Sequence, residues 1–205
     1  MKATRKEHDF LGELEIPNEV YYGVQTFRAI ENFNITGIPI SKEPLFIKAL
    51  GYVKKAAAMA NKDCGVLDAK IAEAICYGSD QLIAGKFDQE FVSDLIQGGA
   101  GTSVNMNANE VIANIGLEYL GHKKGEYQYL HPNNHVNCSQ STNDAYPSAF
   151  RIALYLKMES FLTTLEELEK AFTAKGREFS KVLKMGRTQL QDAVPMTLGQ
   201  EFHAY

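Results

Sequence analysis

A regular apolar stripe between residues 154 and 172 constrains the fold of this chain most strongly. Its positions alternate steps of four and three residues, and they are Leu154, Met158, Phe161, Leu165, Leu168 and Phe172. A period of about 3.5 residues is typical of helices that pack side by side in a bundle or coiled coil. Glu166 and Lys170 form a favourable i,i+4 pair beside the stripe. The sequence therefore predicts one long helix that belongs to a bundle.

Three shorter stripes predict further helices upstream. Apolar residues recur at helical steps within residues 45–60, 71–82 and 104–115, and Gly65 and Gly121 mark the ends of the first and third helices. Residues 1–40 are punctuated by glycine and proline, which favours short strands or loops there. The predicted fold is mainly α. A helical N-terminal domain with minor short strands, residues 1–138, precedes the beginning of a long-helix bundle domain, residues 139–205.

The end of the chain carries a helix start. Thr197 and Gln200 fit a capping box, and only a short stretch of sequence follows before Tyr205. So short a helix is unstable by itself in water. We therefore expect the chain to be the front part of something longer, with the bundle domain incomplete.

Charge and composition exclude several classes of function. The net charge is −4 and lysine and arginine form no cluster, so nucleic-acid binding is not expected. No apolar run is long enough to span a bilayer, and no secretory signal follows Met1. The three cysteines, Cys64, Cys76 and Cys138, are odd in number and widely spaced, which favours free thiols in a reducing cytoplasm.

Two polar clusters lie where predicted helices begin. Residues 98–103 read GGAGTS, and a glycine-rich turn before a helix N-terminus suits an anion such as a carboxylate, although a simple connector has the same appearance. Residues 140–144 read QSTND. Ser141 and Asp144 fit a capping box, but Thr142 and Asn143 exceed what capping requires, so capping and anion binding both remain open.

Further polar residues are ambiguous when each is taken alone. Asn105, Asn107 and Asn109 crowd one predicted helix, which indicates polar partners supplied by tertiary structure because asparagine is a poor helix former. Thr188 and Gln189 precede a proline-containing segment that resembles a solvated loop.

Two other segments contain histidine or cysteine, but metal binding and thiol chemistry are the less favoured interpretations of them. His131 and His135 are separated by a proline and lack a third ligand, which favours a hydrogen-bonded loop over a metal site. Cys138 is paired with no base, so we interpret it as a structural thiol.

Taken together, four segments in order resemble the aspartase/fumarase superfamily, and within it the aspartate ammonia-lyases. They are GGAGTSVNMN from residue 98, HPNNHVN from residue 131, QSTND from residue 140, and GRTQLQDAVPMTLGQEF from residue 186. The resemblance covers essentially the whole chain. It implies reversible removal of ammonia from L-aspartate to give fumarate. A serine base takes the Cβ proton, and an aci-carboxylate intermediate forms. Helix N-termini can stabilise the negative charge of that intermediate.

The resemblance also assigns roles to six residues. Thr102, Ser141 and Thr142 look like donors to the carboxylate that becomes the aci-anion. Thr188 resembles a contact to the other carboxylate, and Asn143 and Gln189 would face the leaving amino group. Glutamine cannot exchange a proton near neutral pH, whereas fumarases, and some aspartases, have histidine at the position of Gln189. Together with Ser-Thr-Asn at residues 141–143, where the fumarase pattern is Ser-Ser-Asn, Gln189 favours the ammonia-lyase over the hydratase.

The resemblance also has implications for the catalytic base, the oligomeric state and the cofactors. The loop that carries the serine base is expected beyond Tyr205, so this chain alone is expected to be inactive and contains no catalytic base. The resemblance implies a cytoplasmic homotetramer, no required cofactor and no resident metal. Activation of a longer protein by divalent metal stays open. A fumarate hydratase and a non-catalytic helical assembly module are the alternatives, and the apolar stripe predicts self-association. Asn134 stands where related fumarases have an acid at a second carboxylate site, so no site is carried over to it.

Overall fold

Helices dominate the computed structural model, which describes residues 3–205. The strands are β1 Thr4–Asp9, β2 Gly12–Pro17, β3 Leu183–Thr188 and β4 Gln191–Thr197. The α-helices are α1 Val24–Asn32, α2 Pro44–Asp63, α3 Ala69–Ile83, α4 Thr102–Tyr119, α5 Thr142–Glu178 and α6 Leu198–Phe202. The predicted mainly helical fold with minor short strands is confirmed. Two compact units divide within α5, after Leu156. The predicted domain boundary at residues 138 and 139 stays a prediction.

The first unit begins with a hairpin and a short helix. Strands β1 and β2 pair antiparallel, with Thr4 opposite Pro17. The short strands expected in residues 1–40 are therefore present. The nine-residue helix α1 was not expected there, because the glycine and proline punctuation of residues 1–40 favoured strands or loops.

Helices α2, α3 and α4 form the core of the first unit. Pro44 begins α2 at a position where its missing N–H costs nothing, and Asp68 caps α3 by accepting from the N–H groups of Lys70 and Ile71. A Cβ atom on Gly78 of α3 would lie 2.9 Å from the carbonyl oxygen of Ile112, so the glycine allows α3 to approach α4 closely. The three predicted helices of this region are thus present and packed together.

Helix α4 is buried all round rather than on one face. Every residue from 104 to 117 is buried, including four asparagines and a glutamate, which are Asn105, Asn107, Asn109, Asn114 and Glu110. A buried polar group is costly unless it is hydrogen-bonded. The position of α4 therefore forces these side chains to find partners on neighbouring elements.

The second unit contains most of α5, the β3–β4 hairpin and α6. Phe202 packs against Phe172 of α5 and against Phe179, which directly follows α5, with ring centroids 6.0 and 5.7 Å apart. The predicted capping box at the start of α6 is confirmed, since Gln200 N donates to Thr197 Oγ1 at 3.1 Å and Thr197 N donates to Gln200 Oε1 at 2.8 Å.

Most of the apolar stripe of α5 is exposed, whereas Phe172 at its end packs against Phe202. Leu154, Phe161, Leu165 and Leu168 each expose about half or more of their surface, from 48% to 60%. The long helix is confirmed, and its bundle partners stay a prediction. Among residues 3–205, no helix has the length and apolar content needed to cross a membrane.

Candidate functional site

The glycine-rich segment positions the start of α4. Gly101 precedes the helix with a φ of +89°, a left-handed conformation that favours glycine. The ring of Tyr146 lies where a Cβ atom on residue 101 would be, so this position accepts no larger side chain without displacement of the ring. Gln97 Oε1 accepts from Val104 N at 2.8 Å, and Thr102, the first residue of α4, is exposed.

The start of α5 carries the second polar cluster. Ser141 Oγ accepts from Asn143 N at 3.2 Å, so its hydroxyl satisfies one of the free N–H groups of the helix. Asp144 lies in the first turn, where a negative charge is favourable. Ser141 and Asn143 are exposed, and Thr142 is half-buried.

The structure brings these two helix starts together. Asn105 of α4 donates from Nδ2 to Oγ1 of Thr142 at 3.1 Å. An open cleft of about 430 Å³ lies at these helix starts, and its lining residues are Leu95, Ile96, Gln97, Gly99, Ala100, Gly101, Asn143, Tyr146 and Pro147. Of the six predicted site residues, Asn143 alone is in that lining. Two helix N-termini, with their positive dipole ends, therefore meet at one cleft. Such an arrangement is chemically suited to a carboxylate.

Thr188 and Gln189 lie in the second unit, in a hairpin rather than the loop that the sequence suggested. Thr188 pairs with Gln191, which leaves Gln189 and Leu190 as a two-residue turn. Both have a positive φ, +50° and +62°, as in a type I′ turn. Neither residue is glycine, asparagine or aspartate, so this segment lacks the usual sequence signal of a hairpin turn. The side chains of Thr188 and Gln189 are exposed.

A buried polar network underlies the start of α5. Lys54 of α2 is completely buried, and its Nζ donates to Asn137 Oδ1 at 3.0 Å and to Gln140 Oε1 at 2.9 Å. Asn105 and Asn109 also donate from Nδ2 to Asn137 Oδ1, at 3.0 and 3.2 Å. Burial lowers the pKa of the Lys54 ammonium to about 7. The tertiary partners predicted for the α4 asparagines are thus found.

Sequence reasoning missed Lys54, although a signal existed. Leu50 and Ala58 lie four residues before and after it, and both are buried. Helical spacing alone places Lys54 on the same apolar face. A lysine at such a position indicates a specific buried partner, because an unpaired ammonium is very costly in a core.

Glu110 of α4 was also missed, and it holds the start of α1. Its carboxylate accepts from the N–H groups of Gly23, Gln25 and Thr26 at 2.9 to 3.1 Å, and from Thr26 Oγ1 at 2.6 Å. Burial raises the pKa of the Glu110 carboxyl to about 7, against the lowering effect of the Thr26 hydroxyl. Glu7 accepts from Val24 N at 2.9 Å. Two buried carboxylates therefore satisfy the free N–H groups of α1.

The histidine segment forms the hydrogen-bonded turn that the sequence favoured. His131 Nδ1 accepts from Asn133 N and Asn134 N at 3.0 and 3.2 Å, and His131 N donates to His135 Nδ1 at 2.9 Å. Across residues 3–205, no three histidine, cysteine, aspartate or glutamate side chains cluster in a way that could hold a metal ion. Cys64, Cys76 and Cys138 are free thiols.

Comparison with known proteins gives the family. A family model described as Lyase matches residues 12–205. Aspartate ammonia-lyase of Helicobacter pylori strain J99 is 60% identical over 201 residues, which are 98% of this chain and 43% of that protein. The crystal structure of cobalt-bound fumarate lyase:delta crystallin from Brucella melitensis matches with a TM-score of 0.92 and 54% identity, over 98% of this chain and 44% of that one. A recombinant class II fumarase from Schistosoma mansoni matches with a TM-score of 0.85 and 36% identity, over 98% and 42% of the two chains.

These matches confirm the resemblance that the four motifs predicted. The chain spans less than half the length of the relatives that it matches. The relatives include a carbon–nitrogen lyase, aspartate ammonia-lyase, at high identity. This chain belongs to the Lyase family, within the aspartase/fumarase superfamily.

Proposed function

We propose that this chain supplies part of the substrate-binding site of an ammonia-lyase that converts L-aspartate reversibly to fumarate and ammonia. The observation that carries the proposal is the junction of the α4 and α5 N-termini, bridged by Asn105 and Thr142 beside one cleft. In this assignment Thr102, Ser141 and Thr142 bind the carboxylate next to the reacting Cβ atom.

The chemistry explains why two helix starts are useful. When the Cβ proton is removed, the electron pair moves onto the adjacent carboxylate, and the resulting aci-anion then expels ammonia as the C–N bond breaks. Preorganised hydroxyl and N–H donors bind that transient charge more strongly than they bind the ground-state carboxylate. The serine base is assigned to a part of the protein beyond Tyr205, and the mechanism needs no cofactor.

Three further residues are assigned to the rest of the substrate. Thr188 is assigned to the remaining carboxylate, and Asn143 and Gln189 are assigned to the amino group. Gln189 favours ammonia over water as the leaving group, because its amide binds without exchanging a proton. Addition of water to fumarate is the second candidate, since a class II fumarase shares this fold at 36% identity.

The exposed stripe of α5 supports assembly. Large apolar residues exposed along one helix favour burial against a partner helix. We propose that the longer protein is a cytoplasmic homotetramer built through this helix, and that the isolated chain self-associates. A purely structural assembly module is the third candidate, and the polar clusters at two helix starts argue against it.

Turnover measurements separate these candidates. Fumarate formation from L-aspartate and from L-malate is measured for the isolated chain and for a protein extended to the length of its relatives, each with and without Mg²⁺. We expect turnover of L-aspartate by the extended protein only. A Thr142→Val variant of that protein should lose about 100- to 1,000-fold in kcat. Thr163→Val is the control, since the Thr163 hydroxyl donates to the carbonyl of Glu159 on exposed α5. Equal activity of the two variants would overturn the site.

A further inference from the structure

We propose that Lys54 is a positioning residue that fixes the direction of the hydrogen bonds leading to Thr142, so that the Thr142 hydroxyl proton is available to substrate. This role rests on the proposed function, because the substrate carboxylate is the acceptor that the proton would meet. Lys54 is buried on another helix, and its hydrogen bonds lead to Thr142 through Asn137 and Asn105.

The direction starts at Lys54 because its ammonium form, which predominates below the pKa of about 7, donates and never accepts. Its contact at 3.0 Å on Asn137 must therefore be the amide oxygen. The second contact, Gln140 Oε1 at 2.9 Å, obeys the same rule. Asn137 Nδ2 then points away from Lys54 and donates to the carbonyl of Gln140 at 3.0 Å. A donor-only side chain at the base of the network thus fixes the orientation of two amides.

The fixed position of Asn137 Oδ1 also determines the orientation of two neighbouring side-chain amides. Asn105 and Asn109 both contact Asn137 Oδ1, so each must present its NH₂ group. Their own oxygens are buried without a hydrogen-bond partner among the described residues. Leaving two buried acceptors unpaired costs free energy. That cost indicates that the donor direction is imposed by Lys54 rather than chosen locally.

The last step reaches the proposed site. Asn105 Nδ2 donates to Thr142 Oγ1 at 3.1 Å and occupies one lone pair of the hydroxyl. A threonine hydroxyl has a single proton, which then points away from Asn105. If Asn105 were reversed, its oxygen would accept that proton and remove it from the substrate. Lys54, Asn137 and Asn105 therefore act in series to keep one donor free.

Neutron diffraction tests the direction without reference to catalysis. Crystals of this chain exchanged into D₂O are expected to show both deuterons on Asn105 Nδ2 and the Thr142 deuteron directed away from Asn105. A Thr142 deuteron directed at Asn105 Oδ1 would overturn the inference. The expected deuteron pattern in a protein that turns over neither L-aspartate nor L-malate would leave the direction standing and reject the proposed function.

A double-mutant cycle tests the consequence in the extended protein. Lys54→Met is expected to lower kcat/KM for L-aspartate roughly 10- to 100-fold, mainly in kcat, because the hydrogen bond strengthens as charge develops. In a Thr142→Val background the same change should cost less than about threefold, since the two residues act through one proton. Lys55→Met is the matched control, because Lys55 pairs with Asp80 at the surface and should leave kcat/KM unchanged.

If Lys54 only stabilised the fold, the double-mutant cycle would give a different result. Equal losses from Lys54→Met with and without the Thr142 hydroxyl would show additive effects and overturn the inference. If Lys54→Met fails to fold, Asn105→Asp replaces it. A carboxylate only accepts, so it should capture the Thr142 proton and reproduce the kcat loss of Thr142→Val in a folded protein. Unchanged kcat in folded Asn105→Asp would also reject the role.

Discussion

The ring of Tyr146 packs directly over the α-carbon of Gly101, in the space that a side chain at residue 101 would fill. This contact sets the start of α5 against the turn that begins α4. Gly101 is therefore required twice, for its positive φ and for the absence of a Cβ atom. The glycine-rich segment therefore positions two helix starts.

Replacing Gly101 by alanine should separate these two requirements. We expect Gly101→Ala to lower the free energy of unfolding by about 2–4 kcal/mol, from backbone strain and overpacking against Tyr146. Gly121→Ala is the control at the other end of α4, because Gly121 has a φ of +84° and nothing within 4 Å of a Cβ atom. It should lose only about 1 kcal/mol. Urea unfolding of both variants measures the difference, and equal losses would mean that the Tyr146 contact is unimportant.

Glu110 predicts a pH-dependent stability. Its folded pKa of about 7 lies above the ordinary value of 4.5, so the folded state binds the proton more tightly than the unfolded state. The associated stabilisation is complete below about pH 4.5 and disappears as pH rises through about 7. Urea unfolding between pH 5 and 8 should show a loss of roughly 3 kcal/mol from this group.

Glu110→Gln is the variant that identifies the source of that loss. Glutamine does not titrate, so the variant should lack the Glu110 part of the pH slope. It should also be less stable than the parent chain at acidic pH, because the amide places an NH₂ group, which cannot accept, against N–H groups that contact both oxygens of Glu110. An unchanged slope in the variant would assign the pH dependence to other groups.

Sequence patterns predicted the long elements well, because periodicity is a local property. The stripes placed α2, α3, α4 and α5, and the capping box placed α6. Helix α1 was not predicted. Its N-terminal N–H groups donate to the carboxylate of Glu110, which lies far along the chain. Its stability comes from tertiary structure, which no window of sequence contains.

The candidate site was predictable only in part for a related reason. Motif order identified the two polar clusters, and the structure joins them through Asn105 and Thr142. Lys54 lies in a helix whose sequence pattern indicates ordinary apolar packing. Its hydrogen-bonded connection to Thr142 is visible only once three elements are folded together. The roles of Thr188 and Gln189 stay predictions.

The β3–β4 turn predicts a stabilising substitution. Leu190 has a φ of +62° and is 94% exposed, so its side chain gains little packing to offset the backbone strain. Leu190→Gly should be more stable than Leu190→Ala by about 1 kcal/mol, because only glycine adopts this conformation without a Cβ penalty. Thermal unfolding of the two variants provides the measurement. If Leu190→Ala were as stable as Leu190→Gly, or more stable, the turn would be unstrained.

The exposed face of α5 predicts concentration-dependent association of the chain. Leu165 lies in the middle of the stripe and exposes 48% of its surface. Leu165→Glu places a charge on that face, and we expect the dissociation constant for self-association to rise about tenfold or more, since burying a leucine favours association by roughly 1.5–3 kcal/mol. Sedimentation velocity over a range of concentrations measures the change.

Thr163→Glu supplies the matched control for that experiment. Thr163 is exposed on the side of α5 opposite Leu165, so the same charge is added without altering the apolar face. We expect its sedimentation to match that of the parent chain. If both glutamates weaken association equally, general charge repulsion rather than the stripe explains the effect. If the parent chain sediments as a monomer at high concentration, the stripe does not act as an interface in this chain.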